Sequence, residues 1–302
     1  MASHTLVFAP RGPFSLARTT ARFVRHPDPV NVVDDDAFAR LVPTPQGLAR
    51  VLVSERGSLT RPRLEVLVEG AEGAHADAAA RRVLENVLGA DVDLRPFERA
   101  LGNDPLLGHL IRAHRGLRVA GTLDLFEALV GAVLTQQVNL RFAASIRTEL
   151  VRALGARAAF EGRTWLAFPS AERVARESEA ALRAFRMTNA KAGTIFRLAN
   201  AIAEGALDES RLRALSDEEA IAELVTWKGV GRWTAEIALL RGLGRLDVFP
   251  AGDLAVVKHL ARTWLDREEA SNEAEMRAFS DRWRPFRSLA LVYALEQLAL
   301  ER

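Results

Sequence analysis

The residue of this chain best placed to do chemistry is an aspartate at the mouth of a helix. Asp253 closes the stretch DVFPAGD and opens DLAVVKHLARTWL, whose apolar residues recur at helical spacing. Aspartate is a favoured N-cap, because its side chain accepts from the orphan N–H groups of the first turn. The same placement suits catalysis. The helix dipole favours a negative charge there, and a fixed carboxylate stabilises positive charge developing on a sugar. Pro250 and Gly252 set the turn that would aim it. Upstream lies WKGVGRWTA, Trp227 to Ala235, where Gly229 and Gly231 flank Val230 and Trp233 stands in the first turn of the next helix. Glycines let the backbone pass close to a ligand, and the free N–H groups of a helix start form an anion site suited to phosphate. An ordinary glycine turn between two helices has the same spelling, and Asp253 alone could be no more than a cap.

The elements that must hold these residues divide the chain in two. Upstream of Leu117, SLARTTARFV, ARVLVSER and RLEVLVEG resemble strands, separated by the turn signals HPDP, PTPQG and ERGS. The helix DAAARRVLENVLG follows them. This predicts a small antiparallel α+β domain over 1–115. Residues 116–302 are then an all-helical module, with a helix-hairpin-helix near 225–235. Thr122 precedes LDLFEALVGAVL, Ser170 precedes AERVARESEAALRAF, and Ser216 with Glu219 spells a capping box before AIAELVTW.

With 49% hydrophobic residues in 302, the chain can bury a real core. No apolar run approaches the ~18 residues of a membrane span, and no targeting segment is visible in MASHTLVFAPRGP. The absence of cysteine excludes disulfides, zinc–cysteine sites and iron–sulfur clusters. Net charge is only +2, but basic residues collect locally. Arg183, Arg186, Lys191 and Arg197 fall in a stretch without acids; Lys228, Arg232, Arg241 and Arg245 are opposed there by Glu236 alone. Such stripes point to nucleic acid, whose phosphates dominate affinity, or to a solvated helix face. The six histidines show no metal-ligand spacing, and Glu127 and Glu236 are expected to be solvated or ion-paired.

WKGVG resembles the helix-hairpin-helix motif of DNA-repair enzymes, apolar-Pro-Gly-apolar-Gly, with Lys228 in the proline position. The longer stretch GVGRWTAEIALLRGLGRLDVFPAGDLAVVKHL is similar to the core signature of helix-hairpin-helix glycosylases of the 3-methyladenine DNA glycosylase II (AlkA) type. LFEALVGAVLTQQV, AFRMTNAKAGTIFRLANAIAEG and WRPFRSLALVYAL extend the likeness over the helical part, and an N-terminal α+β domain also belongs to that family. The resemblance implies excision of alkylated bases, such as 3-methyladenine, from double-stranded DNA by base flipping. It makes Asp253 catalytic, and it assigns phosphate contact to Lys228, Gly229, Gly231, Arg232 and Thr234. Gln137, with Gln136 beside it, becomes the wedge that fills the gap in the base stack. Trp233, Ile237, Leu254 and Leu295 line the base pocket. The carbonyls of Val225, Trp227 and Val230 would hold a monovalent cation, and no organic cofactor is implied.

Two departures shape the expectation. Lyase-competent relatives carry a lysine nucleophile where this chain has Trp233, so a monofunctional enzyme is implied. Ile237, Leu254 and Leu295 stand where the family can have aromatics, which predicts a roomier pocket. Nothing demands an oligomer or a membrane, so a monomer working on DNA in the cytoplasm, at the nucleoid in a bacterium, is expected. A non-catalytic DNA-binding protein and a mismatch or deaminated-base glycosylase remain alternatives.

Overall fold

The computed structural model describes residues 3–266 and 268–301. Strand β1 (Ser3–Phe8), helix α1 (Leu16–Arg25) and strands β2 (Val32–Asp34), β3 (Ala37–Thr44), β4 (Gly47–Ser58) and β5 (Arg61–Glu69) open the chain. The strands form one antiparallel sheet, ordered β1-β5-β4-β3-β2. In β5 the alternation is plain: Leu64, Val66 and Val68 are buried while Arg61, Arg63 and Glu65 face water. Val66 pairs with Val53 and Val68 with Val51, so one face is continuous and apolar. Helices α1 and α2 (Gly73–Arg82, prolonged by a π-turn at Val83–Val87) cover that face, with Phe23, Phe38 and Leu84 in the core between them.

SLARTTARFV, expected to be a strand, is helix α1. Leu16, Thr19, Thr20 and Phe23 are its buried residues, a spacing of three and four, and Ser15 caps it by accepting from the Arg18 N–H. Two adjacent threonines and alternating polarity imitate a strand, but burying one helical face against the sheet wins over propensity.

The helical part follows in order: α3 (Arg95–Leu101), α4 (Gly108–Ala113), α5 (Leu125–Thr135) and α6 (Leu140–Leu154). A two-stranded hairpin, β6 (Arg157–Phe160) and β7 (Arg163–Leu166), interrupts the helices. Its turn residues Glu161 and Gly162 both have positive φ, as a tight hairpin needs. Phe160 and Trp165 pack on Ala39 and Leu41, sealing the second face of the sheet. The sequence pattern did not show this hairpin, because strands of four residues carry too little alternation to stand out from flanking helices.

The chain continues through α7 (Ala171–Ala175), α8 (Glu179–Arg183), α9 (Asn189–Ala203), α10 (Glu209–Ala214), α11 (Asp217–Leu224) and α12 (Arg232–Gly242). A π-turn at Val256–Leu260 leads into α13 (Ala261–Leu265), then α14 (Glu273–Ser280) and α15 (Arg287–Leu300). The apolar core of these helices centres on α5, whose Leu129, Val130 and Val133 are buried, and it reaches upstream to Phe97, Leu107 and Val30. Thus α3 and α4 pack with the helices rather than with the sheet. Ser216 and Glu219 form the full capping box. Ser170 caps α7, while Ser178 caps α8 and splits the expected single helix. The cap of α5 is Asp124, accepting from the Glu127 N–H, and Thr122 instead bonds the Asp124 carbonyl.

Candidate active site

Asp253 sits where the sequence put it, immediately before the helical turn that begins at Leu254. Its Oδ1 accepts from the backbone N–H of Ala255 at 2.8 Å, the bond of an N-cap. Its Oδ2 accepts from Trp233 Nε1 at 3.0 Å. The backbone turn is closed by Asp253 N–H donating to the Pro250 carbonyl at 2.9 Å. Both carboxylate oxygens are therefore held, one by the turn and one by the indole at the start of α12. Cap and candidate catalyst are the same residue.

Helix α12 aligns the rest of the pocket candidates. Ile237 stands one turn beyond Trp233 on the same face. Both are half-buried, Leu254 is 62% exposed, and Leu295 is half-buried on α15, which packs against the π-turn after Asp253. Trp233 and Asp253 are in direct contact; Leu254 directly follows Asp253 in the chain. Arg241, which the sequence marked only as basic, lies a further turn along the α12 face, and Arg22 of α1, which the sequence did not mark, donates as Arg241 does to the Ala120 carbonyl. Burial pushes the Arg241 guanidinium well below its usual range, Arg22 adds to the push, and Asp253 opposes it. The spacing 233, 237, 241 was the signal that would have found Arg241.

The hairpin is built as two different glycines. Gly229 has φ +95°, and a Cβ there would meet the Thr194 hydroxyl at 1.9 Å, so conformation and packing both demand glycine. Gly231 has φ −87°, caps α12 without any side chain, and has open space where a Cβ would go. It is free for something to approach. Val230 is buried between them and pins the turn to the core. Lys228 is exposed. Arg232 is engaged with Glu218 at 2.7 Å and Glu236 at 3.1 Å. Thr234 is buried, and its hydroxyl accepts from Gln136 Nε2 at 2.9 Å. The same Gln136 nitrogen donates to the Gly229 carbonyl at 3.1 Å.

The two glutamines are thereby separated. Gln136 is tied to the hairpin, whereas Gln137 is exposed with φ +52°, a left-handed conformation uncommon for a side-chain-bearing residue. Behind this turn, Lys191 Nζ donates to the Leu134 carbonyl at 2.8 Å and closes the C-terminus of α5. Glu127 and Glu236 are each 1% exposed and ion-paired, Glu127 to Arg40 and Arg147, Glu236 to Arg232 and Arg277. No His, Asp and Glu cluster suited to a metal occurs among the described residues. No helix among them is long and apolar enough to cross a membrane.

The family model for HhH-GPD superfamily base excision DNA repair proteins matches residues 130–285, and that for the AlkA N-terminal domain matches residues 5–124. The DNA-3-methyladenine glycosylase of Bacillus subtilis strain 168 is 34% identical over 203 residues, 67% of this chain and 67% of that protein. DNA-3-methyladenine glycosylase 2 of Escherichia coli K12 is 34% identical over 187 residues, 62% of this chain and 62%, under two thirds, of that protein. Among solved structures, a 3-methyladenine DNA glycosylase from Archaeoglobus fulgidus superposes with a TM-score of 0.83 at 23% identity, covering 97% of this chain and 98% of that one. Its likeness speaks to the fold, sheet domain and helices together. With one family model spanning the hairpin and Asp253 and another spanning the sheet, the chain belongs to the HhH-GPD superfamily of base excision DNA repair proteins.

Proposed function

We propose that the chain is a monofunctional DNA glycosylase that removes alkylated bases, 3-methyladenine and related adducts, from double-stranded DNA. The observation that carries this reading is the 3.0 Å bond between Trp233 and Asp253, which joins the hairpin helix to the candidate catalytic carboxylate. The names of the 34%-identical relatives support the substrate class. A solved Schizosaccharomyces pombe 3-methyladenine DNA glycosylase in complex with abasic DNA, 27% identical with a TM-score of 0.52, supports the choice of partner.

In this mechanism the N–H groups opening α12 at Gly231 and the exposed Lys228 hold a phosphate. The carbonyls of Val225 and Val230 accept no hydrogen bond among the described residues, and Trp227's accepts only from the Val230 N–H. They are thus free to hold a monovalent cation, which would supply positive charge to the same phosphate. Gln137 enters the gap left by the flipped nucleotide, because Gln136 is committed to the hairpin. Trp233 stacks on the flipped base, worth roughly 0.5–2 kcal/mol extra for a cationic one. An N3- or N7-alkylated purine is cationic and departs neutral when the electron pair of the C1′–N bond moves onto the ring. Asp253 stabilises the oxocarbenium-like sugar, and water adds at C1′ with its proton passing to the carboxylate and on to solvent. Trp233 offers no amine for a Schiff base, so the strand is left intact. The enzyme acts as a monomer in the cytoplasm.

The test is free-base release from methylated duplex DNA, with strand breaks scored separately. Native protein is expected to release 3-methyladenine without nicking, and Asp253→Asn to lose about 10³-fold or more of that rate, the scale of a lost charge-stabilising group. Base release that survives Asp253→Asn would return the aspartate to being a helix cap only.

A further inference from the structure

A chain of alternating charge runs from the hairpin helix to the turn that carries Asp253. Glu218 of α11 accepts from Arg232 Nη2 through both oxygens, at 2.7 and 2.8 Å. Arg232 Nε donates to Glu236 Oε1 at 3.1 Å, and Arg277 Nη1 donates to that same oxygen at 2.6 Å. Arg277 Nη2 donates in turn to Glu273 Oε1 at 2.8 Å. Glu236, the middle member, is buried on α12 between Trp233 and Ile237, whereas Glu218 and Glu273 at the two ends are exposed. The chain therefore crosses from α11 through α12 to α14 behind the candidate catalytic residue.

Arg277 also reaches the turn itself. Its Nη1 donates to the Phe249 carbonyl at 3.2 Å, at the start of the segment that ends on Asp253. Glu273, which it holds, stands against the other end of that segment: a Cβ added at Gly252 would lie 2.9 Å from Glu273 Oε2. The two bonds of the Asp253 carboxylate differ in what they depend on. The bond from the Ala255 N–H lies within its own helical turn and moves with it. The bond from Trp233 crosses to α12 and lasts only while turn and helix keep their spacing. Arg277 spans that spacing, because one guanidinium bonds Glu236 on α12 and Phe249 in the turn together. Its planar fork leaves little slack, and its bonds to carboxylates are the strong, charge-assisted kind.

We propose that Arg277 is a positioning residue: by joining Glu236 to the Phe249 carbonyl and to Glu273, it sets the Asp253 carboxylate against the Trp233 indole and so against the sugar. It acts through Asp253 and not on the substrate. A brace that served only to anchor α14 would lower stability and leave the bond between Trp233 and Asp253 as it is. The positioning role makes that bond, and the rate of base release with it, depend on Arg277. The inference rests on the glycosylase reading given above.

The test compares native protein, Arg277→Met, Arg277→Lys and Glu273→Ala in two readouts, with thermal unfolding as the check on the fold. The first, taken without DNA, is the indole N–H proton resonance of Trp233, assigned by its loss in Trp233→Phe. A bond to a carboxylate holds such a proton downfield. Arg277→Met is expected to move it upfield while the indole protons of Trp165 and Trp227 stay. The second is single-turnover release of 3-methyladenine from methylated duplex DNA at saturating protein, beside the affinity for undamaged duplex. Arg277→Met should slow release about 100-fold, the scale of a misplacement of about 1 Å, with that affinity unchanged. Arg277→Lys keeps the charge without the fork and should recover part of both readouts. Glu273→Ala should move both the same way by less. An unmoved resonance in folded Arg277→Met overturns the proposal, as does a moved resonance with the native rate. A rate loss matched by lost affinity for undamaged duplex overturns it as well. Native protein that releases no base overturns the glycosylase reading instead, and the resonance still decides whether Arg277 holds Asp253. Should Arg277→Met not fold, Arg277→Lys and Glu273→Ala carry the same comparison.

Discussion

Two pairs of arginines lie inside this molecule and are treated in opposite ways. Arg40 and Arg147 share the carboxylate of Glu127, with Asn31 and Asp28 completing the group. Arg22 and Arg241 share a carbonyl. The first set is electrically closed and joins β3 to α5 and α6, the sheet to the helices. The second forms no ion pair among the described residues, and Asp28 and Asp253 act on it only from a distance. The contrast separates charge used as mortar from charge left without a direct partner, and it can be measured.

The largest effect is expected in the closed set. Glu127→Ala strands the buried Arg40 and leaves Arg147 with Asp28 alone, and should cost about 3–5 kcal/mol in urea unfolding, the penalty for breaking a buried pair. Acid should reach the same group. Burial opposes ionisation of Glu127, yet Arg40 and Arg147 overcome it and hold the carboxyl below its ordinary value of 4.5. A carboxyl whose folded pKa lies below its unfolded one contributes stability above the unfolded value and loses it as pH falls through the folded one. The urea midpoint should therefore drop below pH 4.5, and Glu127→Gln should flatten that fall. Equal slopes in both proteins would remove Glu127 from the acid response.

The second set should answer with the opposite sign. Arg241→Met replaces a charge without an ion-pair partner by an apolar chain and is expected to raise stability by about 1 kcal/mol, whereas a closed arginine loses stability on the same change. A loss for Arg241→Met comparable with Arg40→Met would erase the distinction. The smallest effect lies at the surface, where Gly231 awaits a charge from outside. Gly231→Asp should stabilise the fold by about 0.3 kcal/mol, since Asp caps a helix slightly better than Gly. It should weaken binding to damaged and undamaged DNA alike, by about 10-fold at low salt. A variant altered in base release but not in binding would take the phosphate away from Gly231.

Much of the site was legible because its signals are local. The capping box at Ser216, the paired glycines and the turn before Asp253 each lie within a few residues, and each forms as spelled. Strands β4 and β5 announced themselves by alternation in the same way. What the sequence hid depends on partners far along the chain. Glu127 sits in an ordinary helical pattern, and its burial follows from Arg40, 87 residues away. Arg22 and Arg241 look like any surface arginines until Ala120 brings them together. SLARTTARFV misled because four of the five strands of the sheet it covers come later in the chain, and only that packing decides between strand and helix.

The side-chain amide of Gln136 spans 93 residues of sequence to grip the Gly229 carbonyl, and it reaches the Thr234 hydroxyl with the same nitrogen. That brace works like the rivet of a pair of calipers. The turn bearing Gln137 and the hairpin bearing Gly231 are held at one fixed opening before any duplex arrives. With Gln137 and Gly231 in the roles proposed above, a fixed opening makes the molecule a gauge: a strand whose backbone and stack match the gap meets both tips together, and one that does not match meets only one. The cost of arranging the two tips is met during folding, so each encounter along a long duplex can be brief and still discriminating.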